Sequence, residues 1–269
     1  MSYGLLRGKK GIITGALDER SIAWQVARRA AEEGASVVMT NAPVALRLGQ
    51  PRQLAEKLGA PLIPADLTQV SDIEKLYEET LKHFGGPVDF LLHSIGMSPN
   101  VRKEKAYPDI DYDFYIKTLD VSAISFHKML KIGRDKGALA KGGSIVALSY
   151  IAAQRVFPAY GDMSDAKALL ESIARMFGYF LGKELGVRIN IVSQSPTPTT
   201  AGTGIRGFQT MYDYADQMSP LGNASAEACA DFIIALFSDL TRSVTMQTLY
   251  HDGGFSMMGI APQLLSGNG

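Results

Sequence analysis

The chain has 269 residues, of which 46% are hydrophobic, enough to bury the core of one sizeable domain. Lys plus Arg and Asp plus Glu number 27 each, so no basic field points to nucleic acid or to an anionic membrane surface. A lone cysteine, Cys229, excludes an intrachain disulfide framework; in "AEACADFIIALF", with no histidine nearby, it reads as a small buried hydrophobe in a reducing compartment. The opening "MSYGLLRGKKGIITG" passes from a short polar lead into a strand without a signal-like apolar run. No apolar stretch is long enough to cross a bilayer, so the expectation is a soluble, cytoplasmic protein. "GIIT" (11–14) is followed by a glycine-bearing turn and the helical pattern "SIAWQVARRAAEEG". "SVVMT" (36–40) is a second strand, and "PVALRLGQPRQLAEKLG" a loop and a helix. "PLIPADL" (61–67), "VDFLLHSIG" (88–96), "GSIVALS" (143–149), "VRINIVS" (187–193) and "VTMQTLYHDGG" (244–254) complete the series. Fully apolar strands separated by helical patterns predict a parallel sheet covered on both faces. No linker or charge block marks a boundary. Residues 1–269 therefore read as a single α/β doubly wound, Rossmann-type domain.

The first chemical signal is the turn "TGALDERSIA". Gly15 closes the strand and Ser21 stands at a helix N-cap position, where free backbone N–H groups and the dipole's positive end suit a dinucleotide pyrophosphate. The second and third glycines of the usual fingerprint are missing, so a plain strand-to-helix turn fits the local pattern as well. The second strand ends "MTNAP" with neither an acidic residue for a ribose hydroxyl nor a basic pair for a 2′-phosphate, and Arg47 follows only across Pro43; the balance leans to NAD. Asp66 in "ADL" suits either an adenine amino group or the cap of the helix "LTQVSDIEKLYEE".

The densest chemistry lies in "YIAAQRVFPAYGDMSDAK", with Tyr150, Tyr160 and Lys167. On a helix, residues seven apart differ by about 20° in azimuth and rise roughly 10 Å. Tyr160, Met163 and Lys167 are thus expected on one face, the lysine two turns deeper. An aromatic core residue with a snorkelling lysine would show the same spacing. The apolar run before it ends at Ser149–Tyr150, where α/β sheets place their ligands.

The segments "TGALDERSIAW", "ADL", "LLHSIGMSPN", "SYIAAQRVFPAYGDMSDAKALLES", "RINIVSQSPT" and "HDGGFS" occur in an order that resembles the enoyl-acyl-carrier-protein reductases. These are short-chain-dehydrogenase-like enzymes of type II fatty acid synthesis. The resemblance runs from about Gly8 to about Met258, and its most specific part is the Tyr150–Tyr160–Lys167 spacing. In ordinary short-chain dehydrogenases the active tyrosine lies four residues before the lysine, where this chain has Met163. The resemblance implies NADH as cofactor, with NADPH the alternative, and reduction of the trans-2 double bond of an enoyl thioester borne by acyl carrier protein. Tyr160 would donate to the thioester oxygen, Lys167 would hold the nicotinamide ribose, and Tyr150 would border the acyl chain or assist near the thioester. Gly15, Ser21 and Ile22 match the pyrophosphate turn, and Asp66 and Leu67 the adenine pocket. Ser94, Ile95 and Gly96 match the strand end beneath the ribose, and Pro196 and Thr197 the carboxamide contact. Met97, Tyr150, Tyr160 and Met163 would border the substrate, and no metal is implied. His93 reads as a strand histidine bonded within the fold, since the tyrosine fills the donor role. The resemblance also implies a homotetramer, consistent with the apolar "FSMMGIAPQLL" near the C-terminus.

After the sixth strand the chain departs from the family's usual Ser-Ala-Gly-Pro-Ile-Arg-Thr: it reads "SQSPTPTTA", with Thr197 for the isoleucine and Pro198 for the arginine. The segment 199–218 is expected to form a substrate-binding loop and helix extension that closes over the acyl chain. Ile205, Phe208, Met211 and Tyr212 either line a tail tunnel or pack ordinarily. The loop 98–115 carries "RKEK", a solvated charge run or a contact for the acidic carrier. Two other readings stay open: a short-chain carbonyl reductase, against which the absence of a tyrosine at 163 counts, and a catalytically silent dinucleotide-binding protein, against which Tyr160 and Lys167 count.

Overall fold

Alternate residues of the apolar runs turn to opposite sides, and both sides are buried. The computed structural model describes residues 2–48, 50–205 and 207–261. Its strands are β1 (Lys10–Thr14), β2 (Ser36–Asn41), β3 (Leu62–Pro64), β4 (Val88–His93), β5 (Leu139–Ser149), β6 (Arg188–Gln194) and β7 (Thr248–His251). They form one sheet in the order β3-β2-β1-β4-β5-β6-β7, parallel throughout. Ile12, Val38, Leu91 and Ile145 face one core and their neighbours Ile13, Met39, Leu92 and Val146 the other. A sheet buried on both faces needs that continuous apolar run, as parallel pairing requires.

The connections are helices: α1 (Ile22–Glu32), α2 (Pro43–Leu48), α3 (Pro51–Leu58), α4 (Val70–Phe84), α5 (Pro99–Arg102), α6 (Tyr112–Leu119), α7 (Ser125–Asp135), α8 (Met163–Leu185), α9 (Thr200–Thr203), α10 (Phe208–Met218) and α11 (Ala226–Phe237). Helices α4, α7 and α8 cover the first core; α1, α3 and α11, with buried Cys229, cover the second. The stretch expected as a loop and a helix is two helices, because Pro43 and Pro51 each suit a first turn; Gly49 between them lies outside the described residues. Strand β5 starts earlier than the expected Gly143. Leu139 pairs with Val88 and Ser144 with Phe90, and the register shift between them absorbs the extra residues around Gly142 (φ +73°).

A further expectation is overturned. Tyr160 is not on α8, which begins at Met163. It ends a 3-10 turn, Pro158–Tyr160, and the chain then reverses at Gly161 (φ 51°, ψ −135°). That positive φ suits glycine and breaks the continuous helical face expected for Tyr160, Met163 and Lys167. The strand order reverses between β1 and β4, and the crevice beyond the carboxyl ends of such strands is where open α/β sheets bind ligands.

Candidate active site

A cavity of about 360 Å³ opens along the carboxyl ends of β1, β4, β5 and β6. It is lined by Gly15, Ser21, Ile22, Ser94, Ile95, Gly96, Met97, Tyr150, Tyr160, Met163, Lys167, Pro196 and Thr197 among others, so most of the residues singled out from sequence meet there.

Gly15 holds the first wall. Its φ is +89°, and an added Cβ would lie 2.0 Å from the Ser94 carbonyl oxygen. Only glycine lets the ends of β1 and β4 approach this closely. The Ser94 amide donates to Thr14 Oγ1 at 3.0 Å and ties the same two strand ends. Ser21 occupies the N-cap of α1, yet its hydroxyl makes no capping bond; it donates to the Asp18 carbonyl at 2.6 Å and accepts from the Leu17 amide at 3.3 Å. The serine therefore shapes the turn and leaves the helix N-terminus to a ligand.

Lys167 is buried in the floor, where Nζ donates to the Leu148 carbonyl at 2.9 Å. Burial pulls its pKa down to about 8, opposed by the field of Glu171. A Cβ on Gly96 would meet Met163 Cε at 3.3 Å and Lys167 Nζ at 3.6 Å, so glycine keeps this point open. The Tyr150 and Tyr160 rings lie 5.0 Å apart between centroids. Burial raises both phenols above the usual tyrosine range. The Tyr150 hydroxyl is buried without a hydrogen-bond partner, a group that a ligand's polar atom would satisfy.

The chain's own similarity agrees with this geometry. The profile described as Enoyl-(Acyl carrier protein) reductase matches residues 15–256. The chain belongs to the enoyl-(acyl carrier protein) reductase family. The enzyme named enoyl-[acyl-carrier-protein] reductase [NADH] 1 of Rhizobium meliloti is 33% identical over 259 residues, 96% of this chain and 93% of its own. The NADH enzyme of Aquifex aeolicus is 33% identical over 261 residues, 96% and 94% of the two chains. Among solved structures, the FabI–NADH complex from Alistipes finegoldii superposes with a TM-score of 0.97 at 61% identity, covering 99% of this chain and 94% of that one.

Where the chain departs from the common enoyl reductase pattern, the substituted side chains are bonded to one another. Gln194 Nε2 donates to the Ala224 carbonyl at 2.9 Å and to Thr197 Oγ1 at 3.2 Å, while its Oε1 meets His251 Nδ1 at 2.7 Å. Thr197 Oγ1 donates to the Ser195 carbonyl at 3.0 Å, and the amide of Thr199 to the Thr197 carbonyl at 2.7 Å across Pro198. The proline-bounded loop is thus braced. Beyond it Ile205, Phe208 and Met211 line the cavity, whereas Tyr212 does not and instead packs on Phe208, ring centroids 6.0 Å apart. Arg206 lies outside the described residues.

Asp66 and Leu67 stand apart from the lining. Asp66 Oδ1 accepts from the Thr68 amide at 3.0 Å and hydroxyl at 2.8 Å, a turn just ahead of α4, and Leu67 is buried. His93 is fully buried with Nε2 2.9 Å from Ser125 Oγ. Since Ser125 gives its proton to the Val121 carbonyl, the histidine donates. Burial, with Lys167 nearby, pushes its pKa down to about 3. In 98–115 Lys103 lies over the Phe114 ring at 4.2 Å and Arg102 reaches the cavity rim. The lining also contains residues the motifs did not single out, among them Asn41, Asp18, Gln194 and Thr200. Asn41 and Gln194 end strands bordering the crevice, and that position was the available signal. Asp18 and Thr200 fall in the turn after β1 and in the 199–218 segment, but their bond across 182 residues left no local signal. Residues 262–269, which include the last four of the apolar C-terminal stretch, are outside the described residues. Among the described residues, no helix is long and apolar enough to cross a membrane.

Proposed function

We propose that the cavity reduces the trans-2 double bond of an enoyl thioester carried on acyl carrier protein, with NADH as reductant and Tyr160 and Lys167 as the working pair. The observation that carries this reading is the pairing of a buried lysine at Gly96 with two buried tyrosines, one hydroxyl unpartnered, at the carboxyl edge of a dinucleotide-type sheet.

The residues fit the cofactor. The glycine-only approach at Gly15 and the uncapped N-terminus of α1 at Ser21 and Ile22 suit the pyrophosphate. Asp66 Oδ1 is spent on Thr68, so Oδ2 is the atom left for the adenine amino group, beside Leu67. Ser94, Ile95 and Gly96, which line the cavity beside Lys167, would border the nicotinamide-side ribose, and Lys167 would offer its remaining donors to the ribose hydroxyls. Pro196 and Thr197 present backbone to the carboxamide. Asn41 and Ala45, the lining residues at and after β2, carry no positive charge for a 2′-phosphate, which supports NADH over NADPH.

When bound, NADH supplies the hydride for the β-carbon. Negative charge then develops on the thioester oxygen, and a phenol held at that oxygen stabilises it where it appears. Tyr160 is that donor; its raised pKa keeps the proton in place at neutral pH. Tyr150 stands beside it with an unspent hydroxyl for the thioester or the near end of the acyl chain. Met97 and Met163 border the substrate, and Ile205, Phe208 and Met211 in the 199–218 lid exclude water along the tail. The chain works in the cytoplasm, as a homotetramer whose contacts draw on exposed apolar residues such as Tyr179 and Phe180.

The test is NADH consumption with a crotonyl thioester, compared with NADPH. Turnover favouring NADH is expected, and Tyr160→Phe combined with Lys167→Ala abolishes it. Full activity in that double variant overturns the roles given to the pair. Reduction of ketones without enoyl thioesters indicates a carbonyl reductase instead, and NADH binding without turnover a silent binding protein.

A further inference from the structure

We infer that Asp162 is a positioning residue that holds Tyr160 in place against the cofactor wall, an inference that rests on the reading of Tyr160 as the donor. Because Tyr160 lies off α8, the long helix does not orient it. Its short turn is closed by the Tyr160 amide on the Phe157 carbonyl at 2.9 Å and reverses at Gly161. Such a turn needs an outside anchor to fix a phenol at the end of its ring.

Asp162 has the geometry of that anchor. It occupies the N-cap of α8, where an aspartate ordinarily accepts from the helix's first amides, but it makes no capping bond. Its carboxylate is instead fully buried and turned the other way. Oδ1 accepts from Ser98 Oγ at 2.6 Å; Oδ2 accepts from Asn100 Nδ2 at 2.9 Å and shares the proton of Thr118 Oγ1, 2.9 Å away, with the Phe114 carbonyl at 2.8 Å. All three are neutral donors. A buried carboxylate persists only when its oxygens are filled in this way, so the three bonds act as one clamp.

The donors' positions give the clamp its direction. Ser98 follows Gly96 and Met97, which line the cavity beside Lys167, and Asn100 lies in α5 just beyond. Asn100 is itself fixed at both ends of its amide, donating to the Asp111 carbonyl at 3.1 Å and accepting from the Asp111 amide at 3.0 Å. Thr118 comes from α6. The space between is filled by Val101, whose Cγ2 would lie 3.3 Å from a Cβ on Gly161 and which packs in one cluster with Tyr150, Tyr160 and Met163. The carboxylate thereby sets the distance between the Gly96–Ser98 wall and the turn that carries the phenol.

A residue acting through the phenol has no effect once the phenol is gone, so the test is a double-mutant cycle of Asp162→Ala and Tyr160→Phe in the full chain. Steady-state rates with crotonyl thioester are read alongside NADH affinity from cofactor fluorescence and thermal melting. Asp162→Ala is expected to lower kcat by roughly 10- to 100-fold, the scale of a displacement near 1 Å, with NADH affinity changed less than about twofold. In the Tyr160→Phe background the same change costs less than about twofold, and Asp162→Asn recovers part of the rate. An equal loss in both backgrounds, or a native kcat in folded Asp162→Ala, overturns the inference and leaves the Tyr160 reading standing. Full activity in Tyr160→Phe alone overturns that reading, and the inference with it. If Asp162→Ala does not fold, Ser98→Ala, which removes one donor and keeps the carboxylate, enters the same cycle and must show a smaller loss with the same dependence on Tyr160.

Discussion

At Lys167 burial and charge oppose each other. Loss of water draws the ammonium down to about 8 from 10.5, and Glu171 one turn along the helix pushes back. The unfolded chain binds the proton between those values while the folded chain releases it, so this residue's contribution to stability grows as pH rises through that window. Under the proposed roles activity runs the other way, because ribose contacts by Lys167 and its field at Tyr160 would need the cation. We expect kcat/KM for NADH, which reports the free enzyme, to fall as pH rises through about 8. In Lys167→Arg, whose guanidinium stays charged, that limb should move out of range even if the overall rate drops. A limb unchanged in Lys167→Arg would assign it to another group. Gly15 makes a different kind of demand on a single position. The nearest obstacle to a Cβ is the Ser94 backbone at 2.0 Å rather than a movable side chain. Gly15→Ala must spread β1 from β4, at a cost of about 1–3 kcal/mol with the strain of positive φ included. It should lower Tm and weaken NADH binding together, which melting and fluorescence titration would show.

Elements were legible where one local rule governed them. The parallel sheet could be read because each strand is buried on both faces and therefore apolar throughout, as at Ile12–Ile13 and Leu91–Leu92. That Gly15, Tyr150 and Lys167 would meet at one cavity was legible because the ends of strands and their next helices form the crevice of such sheets. The start of β5 was not, since "LAKGG" reads as a loop until its register shift against β4 is seen. The helix through Tyr160 was misplaced because spacings of three and seven continue across a turn that only the φ of Gly161 interrupts. Bonds between distant residues left no local trace. Asp162 meets partners 44 to 64 residues away, and Thr200 meets Asp18 across 182. That last contact joins α9 to the turn after β1: Thr200 donates to Asp18 and accepts from Arg20 at 2.7 Å. Exposed bonds of this kind are worth about 1 kcal/mol or less, too little to govern global stability. Thr200→Val should accordingly leave Tm nearly unchanged while raising KM for NADH by about fivefold or less and speeding amide exchange over 199–203. A large drop in Tm with no change in KM would show that the clasp serves the fold and not the site.

For the molecule as a whole, the face of the sheet covered by α1 and α11 is fastened at one buried carboxylate. Glu33, at the end of α1, accepts from the amides of Tyr3 and Leu5, the latter at 2.9 Å, and pairs with Arg29 at 2.6 Å. Arg29 Nε also reaches Asp231 on α11 at 2.6 Å, so the N-terminal lead, the first helix and the last converge on one charge. Burial pushes the Glu33 pKa up, but the Leu5 and Tyr3 amides and Arg29 together outweigh it and hold the group below its ordinary 4.5. A depressed carboxylate contributes stability above the unfolded value, and that contribution disappears as pH falls through the folded one. Glu33→Gln should therefore lower Tm at pH 7 by about 3 °C, the shift expected when a charged hydrogen bond is lost in a chain of this size. The gap between variant and wild type should close as pH falls below about 4.5, where the unfolded glutamate takes up its proton. Melting curves from neutral to acid pH decide it. A gap that stays constant with pH would mean that the shape of the carboxyl, and not its charge, fastens the two helices and the N-terminal lead.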